Sequence, residues 1–461
     1  MANSIMSVGV SGLQAAQVAL LTTSHNISNA TTPGYNRQQA IQSTNTPLAH
    51  GNGFIGRGVQ VSTVQRIYSQ YLVNQSLQAQ TQSSQLDSHY NEIKQIDNLL
   101  ADTTSGLTPA LHNFFNAVQD MASNPTSIPS RQAVLSNAEA LVSRFQQMDQ
   151  RLSEMREGVN SQITSSVAEI NSLAQQIAGL NTNIQAVEAS ANGQPANDLR
   201  DQRDTLIRDL SKLANVDVVR QNNGHYNVFI GNGQSLVVGS SAMTLKAVAS
   251  PNDPQRLVMA MDLNNTEVLL PEHQLQGGSL GGLLAFRSET LDSVQNSFDQ
   301  LAQGIAQTFN TQHQAGLDLQ GAAGENFFAV TDPNHAAGSI RVAINDPAEI
   351  AAADDDGGVM NNVNALKLAG LQTENILPGG TSYQSAYASL VSQVGNKTRE
   401  LEVTSKAQES MLNQTDQALQ SLSGVNLEEE AANLLRYQQM FQASSKVIEI
   451  GNSLFDSLLR I

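Results

Sequence analysis

The stretch ITSSVAEINSLAQQIAGLNTNIQAV, residues 163–187, decides the fold because its apolar side chains recur at helical spacing along its whole length. Such a stripe is typical of an amphipathic helix that buries one face. Similar periodicity begins near residue 131 and also runs from Ile67 past Leu100. The sequence therefore predicts a mainly α fold, a long-helix bundle, in which residues 131–187 supply ordinary core positions. The stripe consists of Ile163, Val167, Ile170, Leu173, Ile177, Leu180, Ile184 and Val187.

Length and charge limit the classes of partner. The chain has 461 residues, enough for two to four domains at roughly 100–200 residues each. Its net charge of −17 repels phosphate backbones and anionic bilayers, so we expect no nucleic acid and no membrane partner. We also expect no run long and apolar enough to span a bilayer. Because cysteine is absent, a disulfide framework and a thiolate metal site are excluded.

The hydrophobic period changes from 3.6 to 2 near Val216. The runs VDVVRQ, HYNVFI and QSLVVG are separated by Asn222-Asn223-Gly224 and by Gly231-Asn232-Gly233. Asn-Gly between alternating runs is a strong hairpin signal. The sequence predicts a small antiparallel β domain inserted into the helical chain at residues 216–275.

Near the start of the chain, apolar and small residues recur at spacings of three and four, the pattern of a coiled-coil seam. The seam ends at Pro33 and Gly34, which favour the two central positions of a type II turn. A Gly-, Thr- and Gln-rich segment follows and has the character of an extended arm. The seam residues are Leu13, Ala16, Leu20, Thr23, Ile27 and Ala30.

A second seam closes the sequence. Gly424 ends the preceding helix, Asn426 is a favourable N-cap, and Glu428 and Glu429 put negative charge in the first turn, where the helix dipole favours it. This helix is expected to form a coiled coil too. Its seam residues are Leu427, Leu434, Tyr437, Phe441, Ile448, Phe455 and Leu458.

Two arrangements of the terminal seams are open. A lone terminal helix is unstable unless it docks. Either the two helices pair within one chain, or they are disordered in the monomer and fold when they meet other copies. Both seams are predicted to form the assembly interface.

The domain organisation follows from these segments. Residues 1–66 and 424–461 form a terminal coiled-coil and arm region. The helical bundle comprises residues 67–215, 276–320 and 376–423, and the β domain comprises residues 216–275. Residues 321–375 are loops or short elements packed on the bundle or on the β domain.

None of the enzyme-like or metal-binding motifs lies in the sequence context that its function requires. Gly51-x-Gly53-x-x-Gly56 matches a dinucleotide fingerprint, but no buried strand precedes it and no helix follows it. Asp354, Asp355, Asp356 and Gly357 lack the alternating ligands and closing glutamate of a calcium loop. The eight histidines show no ligand spacing. We therefore expect no catalytic residue, no metal and no cofactor.

The two ends carry a resemblance. SGLQAAQVALLTTSHNISNATTPGYNRQ (residues 11–38) and GVNLEEEAANLLRYQQMFQASSKVIEIGNSLFDSLLRI (residues 424–461) resemble the paired terminal signatures of bacterial flagellar rod, hook and hook-associated proteins. Four interior stretches resemble the hook-associated protein 1 family, the FlgK type, more specifically. They are NDLRDQRDTLIRDLSKLANV (197–216), GGLLAFRSETLD (281–292), FNTQHQAGLDLQG (309–321) and GENFF (324–328).

The resemblance implies a structural role outside the cell, as a ring of copies that joins the flagellar hook to the filament. It implies contacts with hook protein, with a second hook-associated junction protein and with an export chaperone that binds the carboxy-terminal helix. It also implies type III export without a cleaved signal peptide. Another axial subunit, distal rod or hook, and a cytosolic coiled-coil scaffold remain alternatives. Recognition of a surface ligand by the β domain is a further one.

Overall fold

The computed structural model describes residues 2–50, 53–102, 106–221, 223–263, 266–354, 358–377 and 379–459. Helices dominate and small antiparallel sheets lie between them, which confirms the predicted fold class. The helices are α1 (Ala2–Ser28), α2 (Gln70–Leu100), α3 (Leu107–Ser123), α4 (Ile128–Ser190), α5 (Asn197–Leu213), α6 (Gly278–Ala285), α7 (Asp292–Gln314), α8 (Ala336–Ser339), α9 (Val363–Gly370), α10 (Tyr383–Ser423) and α11 (Leu427–Leu459).

The strands fall into two-, three- and four-stranded antiparallel sheets, paired as β1–β4, β2–β3, β5–β6–β7–β8, β9–β10–β11 and β12–β13. They are β1 (Gln38–Thr44), β2 (Leu48–His50), β3 (Gly53–Ile55), β4 (Val59–Arg66), β5 (Val216–Arg220), β6 (Tyr226–Ile230), β7 (Gln234–Val238), β8 (Ser241–Ala242), β9 (Thr244–Ala249), β10 (Leu257–Leu263), β11 (Thr266–Leu270), β12 (Phe328–Val330) and β13 (Ile340–Val342).

The backbone of the bundle is α4, which is 63 residues long and therefore about 95 Å at ~1.5 Å per residue. Its N-cap is Ser127, whose side chain accepts the backbone N–H of Ser130 and so caps the first turn. Helices α2 and α10 run antiparallel beside each other. Ser76 donates to Asp416 at 2.6 Å near one end of this pair, and Tyr387 donates to the carbonyl of Leu100 at 2.9 Å near the other.

An aromatic cluster joins residues 321–375 to the bundle. Phe327 and Phe328 lie 6.0 and 5.7 Å from the ring of Phe114, and Phe309 lies 5.2 Å from it. All four side chains are buried. The segment therefore packs on the bundle helices through short elements, including β12, β13 and α9. Sequence periodicity alone leaves open whether it packs on the bundle or on the β domain.

The β5–β11 region shares a core with the long helix. Val228 and Val237 are fully buried in one cluster with the bundle side chains. Asn181 of α4 donates to the carbonyls of Tyr226 and Gly239 at 2.9 and 2.7 Å. The inserted strands thus pack against α4, mainly through β7, β8 and β9. The first of the two predicted turns contains Asn222, which lies outside the described residues.

The amino-terminal helix departs from one expectation. Residues 5–28 are apolar enough, and long enough, to cross a bilayer by length and composition alone. The expectation that no such run exists was therefore wrong. Core helices of proteins that cross no membrane can have the same length and composition. In the structure, one face of α1 packs against α11. The hydropathy of α1 comes from Ala, Val, Leu, Ile and Met and from the absence of Asp, Glu, Lys and Arg, while its Gly, Ala, Ser and Thr residues provide no bulky side chains.

His313 predicts a pH dependence of stability. Its ring is fully buried, with Nδ1 2.6 Å from the carbonyl of Glu325 and Nε2 accepting the N–H of Ala351 at 2.9 Å. Burial lowers the pKa of His313 to about 4, so the unfolded chain binds its proton first as pH falls below ~6.5. Stability contributed by the neutral ring is complete above ~6.5 and is lost progressively toward pH 4. We expect about 2 kcal/mol less free energy of unfolding from this group at pH 5 than at pH 7.

Urea unfolding at both pH values measures this slope. His89 is buried as well, and burial lowers its pKa to about 4, so His313→Gln should reduce the slope between pH 6.5 and 5 without abolishing it. The exposed Gln307, on the same helix as His313, provides the control, since Gln307→Asn changes no titratable group and should leave the slope unchanged. An unchanged slope in His313→Gln would contradict the assignment.

Candidate assembly interface

Helices α1 and α11 pair antiparallel through a face of small residues. An added Cβ on Gly9 would lie 2.8 Å from Cγ1 of Ile448 and 3.3 Å from two backbone atoms of α11. One on Gly12 would lie 2.7 Å from Oγ of Ser444. Small side chains let two helix backbones approach closely, and van der Waals contact then holds the pair. The face consists of Gly9, Gly12, Ala16, Ala19, Thr23 and Asn26, at spacings of three and four.

The predicted seam residues lie partly on this face and partly outside it. Ala16 and Thr23 are buried, whereas Ile27, Leu427 and Phe455 are exposed at 37%, 55% and 41%. The side chain of Leu458 lies outside the described residues. The remaining seam residues are half-buried, namely Leu13, Leu20, Ala30, Leu434, Tyr437, Phe441 and Ile448.

The difference has a physical reason. The seam was drawn through the large apolar residues, but the closest approach of α1 to α11 runs through glycine and alanine. Large apolar side chains consequently lie at the edges of the pair and on its outer surface. Contact of these side chains with other copies stays a prediction. The exposed ones include Ile5, Val10, Leu21, Leu435, Ile450 and Leu454.

The turn after α1 has the predicted form. The N–H of Tyr35 donates to the carbonyl of Thr32 at 3.2 Å, with Pro33 and Gly34 between them. Gly34 has φ +78°, as the third position of a type II turn requires. A Cβ there would also clash with Oγ1 of Thr205. Glycine is therefore needed both for the backbone angle and for close docking on α5.

Asn26 joins three elements. Its Oδ1 accepts the N–H of Gln38 at 2.9 Å and the hydroxyl of Tyr35 at 2.7 Å. Its Nδ2 donates to the carbonyl of Gln38 at 2.8 Å and to Glu430 at 3.1 Å. All four hydrogen-bonding positions of the amide are filled. This one side chain ties α1 to the first residue of β1 and to the first turn of α11.

A carboxylate cluster on α5 receives the turn and the arm. Asp201 accepts from the backbone and the side chain of Asn36 at 3.0 and 2.7 Å and from Arg66 at 2.6 Å. Arg66 also pairs with Asp204 at 2.7 Å. Asp198 accepts from Gln38 at 2.7 Å. The first signature and the motif that begins at residue 197 therefore meet in space.

Burial sets the ionisation of this cluster. Burial, then the negative charges of Asp198, Asp201 and Glu430, raise the pKa of Tyr35, so its hydroxyl stays a donor to Asn26. Burial opposes the charge of Arg66, but Asp204 and Asp201 outweigh it and the pKa is raised. Burial also raises the pKa of Asp204. The cluster holds elements together by directional bonds.

The carboxy-terminal helix starts as predicted. Oδ1 of Asn426 accepts the N–H groups of Glu428 and Glu429 at 3.0 and 3.4 Å, which is an N-cap. Just before it, the carbonyl of Ser423 accepts the N–H of Arg37 at 2.8 Å, and Arg37 forms an ion pair with Glu429. Tyr35, Asn36 and Arg37 all therefore contact their own chain.

Sequence reasoning missed several residues that build this region. Gly9, Gly12 and Asn26 share a three-and-four spacing with Ala16, a signal that a search for large apolar residues passes over. Asp201 and Arg66 carry no local pattern that predicts their pairing across the chain. Among the described residues, no group of three His, Asp or Glu side chains is placed to hold a metal ion. Gly53 and Gly56 lie in the arm, while Gly51, Asp355, Asp356 and Gly357 lie outside the described residues.

The comparisons with known proteins agree with the resemblance. Residues 93–328 match the model described as flagellar hook-associated protein FlgK helical domain. Residues 6–36 match flagella basal body rod protein, and residues 415–461 match flagellar basal body rod FlgEFG protein C-terminal. The terminal matches cover the helix pair, and the interior match covers most of the bundle and the inserted strands.

Whole-chain relatives carry one name. Flagellar hook-associated protein 1 of Salmonella typhimurium is 36% identical over 100% of both chains, in an alignment of 551 positions, so it contains sequence that this shorter chain lacks. The protein of the same name from Bacillus subtilis is 28% identical over 97% of this chain and 96% of its own. The flagellar hook junction protein FlgK of Burkholderia pseudomallei superposes with a TM-score of 0.69 and 25% identity, covering 76% of this chain and 100% of that chain. The chain belongs to the flagellar hook-associated protein 1 family.

Proposed function

We propose that this chain is a non-enzymatic structural protein of the bacterial flagellar axis, located at the junction between hook and filament. The observation that carries the proposal is the 36% identity to flagellar hook-associated protein 1 along the full length of both chains. A flagellar location follows from family membership. The polar clusters described above support the structural role, because their side chains are bonded to one another across elements.

The paired terminal helices are the proposed assembly element. The pair has one small-residue face inside and exposed apolar side chains outside, among them Leu21 at 64% and Leu435 at 60%. Burying a large side chain contributes roughly 1.5–3 kcal/mol. Several such contacts per copy support a rigid ring of copies with the helix pairs at its inside.

The proposed partners are other copies of this chain, hook protein on one side and a second hook-associated protein on the filament side. An export chaperone that engages α11 is a further proposed partner. The proposed route out of the cell is type III export with an uncleaved amino terminus. The exposed apolar residues of α11 support a role for a partner that covers them before assembly.

Deletion of the gene tests the proposal. We expect cells that carry complete hooks but no attached filaments, with filament protein released into the medium, because the joint between them is missing. Re-expression of this chain should restore filaments and motility, and re-expression of a version without α11 should not. Normal filaments on deleted cells would refute the proposed function.

Another axial position, distal rod or hook, is the second candidate. The two terminal matches favour it, since both carry rod-protein descriptions. The interior match at residues 93–328 favours the junction instead. Loss of hooks themselves after gene deletion would support the rod or hook position.

A further inference from the structure

The arm, residues 38–66, differs in charge from the rest of the chain. It contains Arg57 and Arg66 and no Asp or Glu, whereas the whole chain has a net charge of −17. Arg66 is bound to Asp201 and Asp204. Arg57 is exposed and has no ion-pair partner within the described part of the chain. One positive charge is thus presented at the far end of the arm.

The arm tip, residues 48–50 and 53–57, also presents apolar side chains. Phe54 is 77% exposed, Leu48 59% and Ile55 49%. These three side chains lie in β2 and β3, which pair with each other and, among the residues that the structure describes, with no other strand. An exposed aromatic side chain beside two exposed aliphatic ones is typical of a contact surface.

An apolar groove lies at the base of the same arm. Its volume is about 730 Å³, which is room for several side chains. Val18 of α1, Val61 of β4, Val187 of α4 and Asp198 of α5 are among its lining residues. Val187 is 44% exposed and the side chain of Asp198 is 59% exposed. The groove therefore offers apolar walls and a carboxylate.

We propose that the arm tip of one copy docks in this groove of a second copy of the same chain. The occupant follows from complementarity: Phe54 and its neighbours match the apolar walls, and Arg57 matches the carboxylate of Asp198, which stays 59% exposed beside its hydrogen bond from Gln38. Because the tip and the groove are different surfaces, the contact is heterologous, and repetition generates a ring when the rotation closes. The inference rests on the proposed function, in which copies lie side by side.

Cross-linking tests the contact directly, because the native chain has no cysteine. One variant carries Gly56→Cys, at a position where an added Cβ meets nothing within 4 Å, so Phe54 is left intact. A second carries Ser190→Cys, one turn beyond Val187 and exposed. The two are co-expressed in cells lacking the native gene, and isolated flagella are treated with a short bis-maleimide. The control replaces Ser190→Cys with Ser165→Cys, which is exposed on the same helix about 38 Å away at ~1.5 Å per residue.

We expect dimers from the Gly56→Cys and Ser190→Cys pair and at least tenfold fewer from the control pair. Adding Phe54→Ser to the Gly56→Cys variant should abolish the dimers, whereas Tyr71→Ser, which changes a side chain of equal exposure at 75%, should not. Assembled flagella without dimers from the first pair would overturn the docking and leave the proposed function standing. Absence of this chain from wild-type flagella would overturn both.

Discussion

A Gly9→Leu variant is expected to yield hooks without filaments. A Cβ added to Gly9 would lie 3.3 Å from backbone atoms of Ser444 and Ile448. A leucine at this position therefore fits only if α1 and α11 separate. Overpacking a close contact costs typically 1–3 kcal/mol, and separation also uncovers the rest of the small-residue face. In the purified monomer, trypsin should cut after Arg436 and Lys446 of α11 several times faster than in the native chain.

The matched control is Gly179→Leu, a helical glycine of α4 whose added Cβ meets nothing within 4 Å. It should keep native proteolysis and native filaments. Filament attachment and slow cleavage in Gly9→Leu would contradict the importance of the close helix contact. Equally rapid cleavage of the native monomer at both sites would show that the ends are disordered before assembly, which is one of the two arrangements that the sequence leaves open.

Replacing Asp201→Ala is expected to lower the free energy of unfolding by about 3 kcal/mol, the loss typical of breaking a buried ion pair. Asp201 is 5% exposed and accepts from Arg66 and from both the backbone and the side chain of Asn36. Removal of the carboxylate leaves those donors without this acceptor and loosens the arm from α5. The shift in the urea midpoint of unfolding measures the effect.

Asp209→Ala on the same helix provides the control. Asp209 pairs with Lys212 at 2.8 Å on the surface, with 42% of its side chain exposed, and such pairs contribute at most about 1 kcal/mol. Equal midpoints for the two variants would show that the Asp201 cluster does not hold the arm.

The sequence predicts much of this architecture because local patterns encode it. The stripe from Ile163 to Val187 predicts the end of α4, and alternation around Gly231-Asn232-Gly233 predicts β6 and β7. Pro33-Gly34 predicts the turn, and Asn426 predicts the start of α11. In each case the residues that determine the element lie within a few positions of one another.

Contacts between distant segments are less predictable. Asn26 and Glu430 are 404 residues apart, and Asn36 and Asp201 are 165 apart, so no local period indicates that they meet. Large apolar residues such as Leu427 and Phe455 dominate a seam pattern, whereas the contact of α1 with α11 within the chain runs through Gly9 and Gly12. Gly9 and Gly12 allow the two helices to approach closely because they have no side chain. A pattern built from large apolar residues does not include them.

Localisation in assembled flagella tests the central claim most directly. A short epitope inserted after Gly233, an exposed turn residue whose added Cβ meets nothing within 4 Å, leaves the helix pair and the arm unchanged. Immunogold electron microscopy of detached flagella should show one band of label at the boundary between hook and filament. Label distributed along the hook, or detached flagella without label, would contradict the assignment of this chain to the junction.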